Sequence, residues 1–436
     1  MQRRDDDQFG FTRRAALASG LTAMAMVTAG RLSAAPAQKA QAYRSIRYAR
    51  AERFGQANLL PFTESLIQRE RGAICPQMPS RLEISMGPQA PNRQDEHCQL
   101  LSVFTPSRTG KRPVLVYLHG GAYVSGGGEL PWYDGDLMAA EQDIVVVPVT
   151  YRLGALGFWV ENGSSNVAPG LSDMIAALKW VQQNIEKFGG DPANVTVAGQ
   201  SAGAAAVRSL IQLGYGQKLF HRAIRQSAGI RQITRQSVEA QSRRFDEVLA
   251  ADPRKASVEQ ILAAQTALTK LNKGEPGWSP NDPSAPASIN VDMMAGWTSD
   301  ELSAHMMLAQ GKKPVPGASL EPYREAGKMF TTSTTAYAVE AAKSGQTSYL
   351  YSFDWNGPDT GMGNCHCIEL AFLFGDRAAW EAAPMLAGVN WADYERLGKL
   401  MRAQWAGFAR NSNPNVAGGP KWLSVTPDAA SVTSLG

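Results

Sequence analysis

Residues 195–207 read VTVAGQSAGAAAV, and this stretch decides the fold. Val195 to Ala198 is a short apolar run typical of a buried strand, and the small and apolar residues from Ala202 to Leu213 are typical of a packed helix. Between them, Gly199-Gln200-Ser201-Ala202-Gly203 matches G-x-S-x-G, in which a tight strand-to-helix turn exposes a nucleophilic serine. The sequence predicts Ser201 as that nucleophile. The alternative is a serine that caps an ordinary helix.

Strand and helix patterns alternate along the rest of the chain. Further strands are predicted at 113–118, 143–149, 223–226 and 347–353, and further helices at 171–188 and 393–410. This alternation predicts a mostly parallel sheet with helices on both faces, and with the serine turn it indicates the α/β-hydrolase fold in one domain over 38–436. Residues 230–288 are polar and helical, then loop-rich, and we interpret them as a cap insertion over the substrate site.

The first 37 residues have the pattern of an export signal. Thr12-Arg13-Arg14 precedes a weakly apolar run, 15–30, and Ala35-Pro36-Ala37 offers small residues for cleavage. The paired arginines are typical of the twin-arginine route. The run is shorter than the ~20 residues of a spanning helix, which disfavours a membrane anchor. We therefore expect an exported bacterial protein, periplasmic or secreted.

The composition and net charge indicate a globular protein that does not bind nucleic acid. The chain is 44% hydrophobic and 19% charged, which suits a large packed core. Removal of residues 1–37 takes away five arginines and three aspartates and leaves a formal net charge of +2. No basic surface interleaved with aromatic residues is evident, so nucleic-acid binding is not expected.

A glycine-rich loop follows the strand predicted at 113–118. It reads His119-Gly120-Gly121-Ala122-Tyr123 and continues to Gly126-Gly127-Gly128. Backbone N–H groups in such a loop, with the N–H of Ala202 next to the serine, can bind the oxyanion formed during acyl transfer. A phosphate-binding loop is excluded because no Gly-Lys-Ser/Thr follows.

The catalytic base can be found by elimination. The five histidines are His97, His119, His221, His305 and His366. In this fold the order is nucleophile, acid, base. The first two histidines precede Ser201, and the third follows it too closely for an acid-bearing strand to intervene. The fourth lies four residues after Glu301, which predicts an i,i+4 pair on a helix. His366, in a loop after the strand at 347–353, is the predicted base.

Two other patterns leave alternatives. Cys365 and Cys367 flank His366, but a zinc site needs further ligands at recognisable spacing and none is visible nearby, which disfavours a metal.

The acid is either Asp300 or Glu301, which follow a short apolar stretch, since both residue types serve in such triads. Their position also suits the first turn of a helix.

From about Ile46 to Pro414 the chain resembles the type-B carboxylesterase/lipase family, which includes cholinesterases and bacterial para-nitrobenzyl esterases. Besides the two glycine motifs, matching segments occur in the family's order at 96–100, 151–158, 170–173, 189–192 and 222–227. The resemblance implies an α/β-hydrolase fold and hydrolysis of small-molecule esters without a metal or organic cofactor.

The resemblance also implies a set of site residues. The family segment G-x-x-x-D-E matches 296–301 and assigns the acid to Glu301, and H-G-x-D/E-L matches 366–370 and assigns the base to His366. The oxyanion donors implied are Gly121, Ala122 and Ala202, and the family's first disulfide matches Cys75–Cys98.

The chain departs from the family at the nucleophile and the base. Gln200 stands where the family usually has Glu, and Cys367 stands where it has Gly. Ala122 replaces the third glycine of the oxyanion loop. The segment between Cys75 and Cys98 contains no Phe, Tyr or Trp to hold a quaternary ammonium. Choline esters are therefore not expected as preferred substrates.

The sequence thus predicts a serine esterase that acts through an acyl-enzyme. An acyltransferase or amidase with the same triad is the first alternative, because these differ only in the leaving group or acceptor that the pocket admits. A non-catalytic adhesion-type homologue is the second, and it is disfavoured because Ser201, Glu301 and His366 are all present.

Overall fold

The computed structural model describes residues 40–164, 167–229, 234–280 and 286–436. These described residues form one compact unit. The predicted export signal at 1–37 lies outside the described residues, as do short parts of the predicted cap insertion.

A nine-stranded sheet forms the centre of the molecule. The strands of the described chain are β1 (Gln41–Arg47), β2 (Ala49–Arg50), β3 (Asn58–Leu59), β4 (Leu100–Thr105), β5 (Arg112–Leu118), β6 (Val145–Val149), β7 (Gly190–Gln200), β8 (Arg222–Gln226), β9 (Asp292–Thr298), β10 (Ser348–Phe353) and β11 (Val432–Leu435). The spatial order is β1-β4-β6-β5-β7-β8-β9-β10-β11, and β2 and β3 pair separately. Only the β1–β4 and β4–β6 pairings of this sheet are antiparallel. The prediction of a mostly parallel sheet is confirmed.

Helices cover both faces of the sheet. The α-helices of the described chain are α1 (Glu83–Met86), α2 (Asp136–Gln142), α3 (Gly154–Phe158), α4 (Pro169–Asn184), α5 (Ala202–Gln212), α6 (Arg235–Leu249), α7 (Val258–Leu271), α8 (Ser303–Ala309), α9 (Glu321–Lys343), α10 (Leu370–Leu373), α11 (Arg377–Trp380) and α12 (Trp391–Asn411). The core on one face includes residues of α4, α5 and α9, and the core on the other face includes residues of α2 and α12. Because both faces are covered, β5 and β6 are almost entirely buried and consist of nearly continuous apolar residues.

The edges of the sheet were not predicted. Strand β1 at one edge and β11 at the other are short or irregular: β1 pairs with β4 through a register shift, and β11 has only four residues. In such edge strands apolar and polar residues alternate, or apolar residues are few, because part of the strand faces solvent. Their sequences therefore resemble those of loops.

No helix of the described residues combines the length and the apolar character needed to cross a membrane.

The parallel strands bring distant segments of the chain to one edge. Ser201 follows β7 directly, and the glycine-rich loop follows β5. Glu301 lies three residues after β9, and His366 lies beyond β10. These strands are neighbours or near neighbours in the sheet, so their carboxyl ends meet, and sites in open parallel sheets form at that edge.

Candidate active site

Ser201 occupies a sharp turn between β7 and α5. Its φ of 53° and ψ of −116° lie outside the regions that residues with side chains normally adopt. Its N–H donates to the carbonyl of Gln226 at 2.8 Å, and its own carbonyl accepts from the N–H of Ala205 at 3.0 Å, which fixes the turn from both sides. Strained conformations of this kind persist where the surrounding structure holds them, and they concentrate at functional sites.

The two glycines of the motif permit close packing. A Cβ at Gly203 would lie well inside van der Waals contact of the Leu118 carbonyl oxygen, and one at Gly199 would lie 2.5 Å from the carbonyl carbon of Gly203. Helix α5 therefore passes directly against the end of β5, and the motif's small residues are explained by this approach.

A cavity of about 330 Å³ opens over the serine. Ser201 and His366 line it together with Gly121 and Ala122. Its apolar wall includes Met78, Pro79, Leu82, Val124 and Pro276. One face of α7 contributes Gln265, Thr266, Thr269 and Lys270, so part of the predicted cap insertion does line the cavity.

The glycine-rich loop after β5 is held in an unusual backbone conformation. Gly121, Ala122 and Tyr123 have φ values of 112°, 53° and 59°. The Tyr123 carbonyl accepts the N–H of Gly154 at 2.6 Å, and the Gly121 carbonyl accepts the N–H groups of Val124 and Ser125. Such bonds keep the loop in place although left-handed conformations are costly for residues with a Cβ.

His366 is buried and hydrogen-bonded to Glu301. The distance from its Nδ1 to Oε2 of Glu301 is 2.5 Å, and Oε1 of the same carboxylate accepts the N–H of Thr298 at 3.0 Å. Burial lowers the pKa of His366, but the charge and hydrogen bond of Glu301 outweigh it and raise the pKa above its usual value. The imidazole is thereby oriented with Nε2 directed away from the carboxylate.

Asp300 has different partners. Its carboxylate accepts from Nε of Arg324 at 2.7 Å and from the N–H of Asn364 at 2.9 Å, and the N–H of Asp300 donates to the Asn364 carbonyl at 3.1 Å. These bonds join the turn after β9 to the loop that carries His366. The two adjacent carboxylates therefore have different contacts. Glu301 contacts the imidazole of His366, and Asp300 holds the loop that carries His366.

The prediction that Glu301 and His305 form an i,i+4 pair on a helix is wrong. Helix α8 begins at Ser303, so Glu301 lies outside it and the i,i+4 relation does not apply. His305 instead packs edge-on against His366, with ring centroids 5.2 Å apart, and it lines the cavity. No motif in the sequence predicts a second imidazole beside that of His366.

The other histidines lie elsewhere. His119 is buried, with its ring stacked 4.3 Å from that of Tyr151, and burial lowers its pKa to about 4. His221 accepts the N–H of Val195 through Nδ1, and His97 is exposed. No group of three or more His, Cys, Asp or Glu side chains within the described residues is arranged to hold a metal ion.

Comparison with known proteins shows the family. The model of the carboxylesterase family matches residues 22–303 and 298–436. The chain is 36% identical over 401 residues to a probable N-octanoylanthranilate hydrolase of Rhodococcus erythropolis, which covers 84% of this chain and 88% of the relative. It is 31% identical over 400 residues to the para-nitrobenzyl esterase of Bacillus subtilis strain 168, with coverage of 79% and 80%. The structure of a thermophilic PNB esterase superposes with a TM-score of 0.78 at 26% identity, over 91% of this chain and 92% of that one.

The chain belongs to the carboxylesterase family. It is a carboxylic ester hydrolase with the α/β-hydrolase fold, and its family is one of serine esterases. The resemblance drawn from the sequence motifs is confirmed.

The carboxylesterase holds a buried polar layer behind its imidazole that the sequence did not reveal. Nε2 of the Gln200 amide lies 3.0 Å from Nε2 of His366. Glu369 is fully buried, and its carboxylate accepts from the Gln226 amide at 3.3 Å. Burial and the nearby Glu301 raise the pKa of Glu369 to about 7. The acidic position of the family's histidine motif could have drawn attention to Glu369.

The cysteines differ from the prediction of a Cys75–Cys98 disulfide. The structure holds both as buried free thiols, with the Cys75 side chain hydrogen-bonded to Cys98 and its sulfur accepting the Leu153 N–H at 3.1 Å. Two free thiols rather than a disulfide thus fill this buried position. Cys365 and Cys367 are also free and buried.

The backbone at Cys367 explains why the family has glycine at this position. Its φ is 78°, in the left-handed region that favours glycine, the residue that the family has there. The carboxylesterase keeps the same backbone with a side chain that packs into the core.

Proposed function

We propose that this carboxylesterase hydrolyses its esters through an acyl-enzyme on Ser201, with His366 as base and Glu301 as its orienting acid. The observation that carries the proposal is the 2.5 Å contact between Nδ1 of His366 and Glu301, made in the wall of the cavity that Ser201 also lines. In this arrangement Nδ1–H donates to the carboxylate, so Nε2 is left to accept the serine proton.

The first step is attack of the Ser201 hydroxyl on the ester carbonyl. His366 takes the hydroxyl proton, and the carboxylate of Glu301 stabilises the resulting imidazolium. The oxyanion is held by the N–H groups of Gly121, Ala122 and Ala202. Supporting this assignment, two of these residues line the cavity and Ala202 begins the helix directly after the serine.

The later steps reuse the same groups. The imidazolium protonates the alcohol as it leaves, and His366 then activates a water that releases the acid from Ser201. In the resting enzyme the Gln200 amide contacts Nε2 of His366. We expect bound substrate to draw the imidazole towards the serine, since catalytic hydrogen bonds often tighten only in the complex.

Amide hydrolysis is a second candidate, and a relative favours it. The relative at 36% identity is named a probable hydrolase of N-octanoylanthranilate, which is an aromatic amide. The same serine, base and oxyanion donors suit anilide and ester cleavage. The two differ in the leaving group, because an amine must be protonated by His366 before it departs.

Replacement of the nucleophile tests the proposal. Ser201→Ala should lower kcat for p-nitrophenyl esters by at least ~10³-fold with an unchanged circular dichroism spectrum, because the acyl-enzyme cannot form. Ser227→Ala is the matched control: it also follows a sheet strand and is buried, but it does not line the cavity. We expect it to retain activity within about tenfold. Undiminished hydrolysis by Ser201→Ala would sink the assignment.

A further inference from the structure

The charges around the cavity all have one sign. Its ionisable lining residues are Arg81, Lys270, His305 and His366, and this lining, formed by described residues, includes no Asp or Glu. Burial, His366 and Arg81 lower the pKa of His305 to about 3, so this imidazole is neutral at ordinary pH. The carboxylates of Glu301 and Glu369 lie behind the base. The permanent charges that face the substrate are therefore Arg81 and Lys270.

The two cations come from different segments. Arg81 belongs to the loop before α1, and its Nη1 donates to the carbonyl of Gly274 at 2.8 Å. Gly274 lies three residues after the end of α7, whose last turn carries Lys270. The hydrogen bond thus ties the Arg81 loop to the cap at the wall where Lys270 stands.

Neither cation is neutralised locally. In the described parts of the chain, no ion pair involves Arg81 or Lys270, whereas many other arginines of this enzyme are paired with carboxylates. Both side chains are exposed, so they remain hydrated and available to a ligand. Charges of one sign in the lining of a cavity raise the local concentration of ligands of the opposite sign.

We propose that the preferred substrates of this carboxylesterase carry a carboxylate, which Arg81 and Lys270 bind in the lining of the cavity. The inference rests on the proposed function, because it assigns a substrate class to the same site. A guanidinium can hold a carboxylate by two parallel hydrogen bonds, and an ammonium adds a point charge. The apolar residues of the same lining, which include Met78, Leu82 and Val124, suit the acyl or aryl part of such a substrate.

The test compares two matched pairs of esters. Phenyl octanoate and 4-carboxyphenyl octanoate differ by a carboxylate in the leaving group, and p-nitrophenyl butyrate and the mono-p-nitrophenyl ester of glutaric acid differ by one in the acyl part. The measurement is kcat/KM for the wild type and for Arg81→Gln, Lys270→Gln and the double variant. Each variant is compared with the wild type on the same ester, after subtraction of the uncatalysed rate, so that differences in intrinsic reactivity between the esters cancel.

In at least one pair we expect the double variant to lower the ratio of kcat/KM for the carboxylate ester to kcat/KM for its neutral partner by about tenfold, mainly through the KM of the carboxylate ester. The wild-type preference should also shrink when NaCl is raised from about 50 to 500 mM, since salt screens exposed charges. Lys255→Gln, an exposed cation outside the cavity lining, is the control and should change neither ester.

The outcomes separate this proposal from the proposed function. Equal losses for charged and neutral esters in the double variant, or no loss for either in both pairs, would overturn the carboxylate inference and leave the esterase intact. If the wild type hydrolyses none of the four esters, or if Ser201→Ala keeps full activity, the proposed mechanism is refuted instead.

Discussion

The part of the site around the proposed nucleophile and the part around the proposed base are built in different ways. Around Ser201 the geometry is set by backbone: a strained serine, two glycines without room for a Cβ, and a loop with three consecutive positive φ values. Around His366 it is set by side chains from segments 65 residues apart, joined by hydrogen bonds to Glu301 and Asp300. The first half tolerates little change in residue size, and the second little change in residue chemistry.

The largest expected effect tests the chemistry of the second half. Glu301→Gln should lower kcat/KM by about 10³-fold or more, because a neutral amide neither fixes the His366 tautomer nor stabilises the imidazolium. Asp300→Asn, one residue away, should reduce activity by less than about tenfold, since Asp300 contacts Arg324 and Asn364 rather than the imidazole. Kinetics with a p-nitrophenyl ester measure both. A larger loss from the Asp300 change would reverse the assignment.

The next effect tests the steric half. Gly203→Ala should lower the free energy of unfolding by about 3 kcal/mol, because its Cβ would meet the backbone oxygen of Leu118. Urea denaturation measures this loss. Gly229→Ala is the control: the nearest atom to its Cβ would be 3.8 Å away, so we expect a change within about 0.5 kcal/mol. Equal stability of the two variants would break the comparison.

A third substitution tests the contact between the two halves of the site. Gln200 belongs to the serine motif, and its amide lies 3.0 Å from Nε2 of His366. Gln200→Glu should move the acid limb of the kcat/KM profile about one pH unit higher, because a second carboxylate favours the imidazolium and only the neutral imidazole acts as base. Gln200→Met, which adds no charge and removes only the amide contact with the neutral imidazole, should move that limb by less than Gln200→Glu does. A downward shift in Gln200→Glu would contradict the contact.

The smallest expected effect is a difference in stability between glycine and alanine variants at two nearby cysteines, which tests the backbone conformation apart from the side chain. At Cys367, where φ is 78°, the glycine variant should be more stable than the alanine variant by about 1 kcal/mol. At Cys365, which has no positive φ, the order should be reversed by about 0.5 kcal/mol. Thermal unfolding of the four variants measures both differences. The same order at both positions would refute the conformational explanation.

The two halves were also unequally predictable from the sequence. Ser201 and its loops were found because backbone constraints leave glycines at fixed spacing, and the buried strands because both faces need apolar residues. The choice between Asp300 and Glu301 depended on family resemblance, since adjacent carboxylates have the same chemistry until the fold directs them. The pairing of His305 with Glu301 was wrong because helix α8 begins later than the pattern suggested.

The parallel sheet has a consequence for how activity arises during folding. The proposed oxyanion loop follows β5 and the proposed base follows β10, so the site spans about 245 residues. The intervening strands β7, β8 and β9 must pair in register between them. Contacts of such long sequence separation form late and slowly. Ester hydrolysis therefore reports completion of the sheet, and a chain that has collapsed without its last central strand is compact but inert.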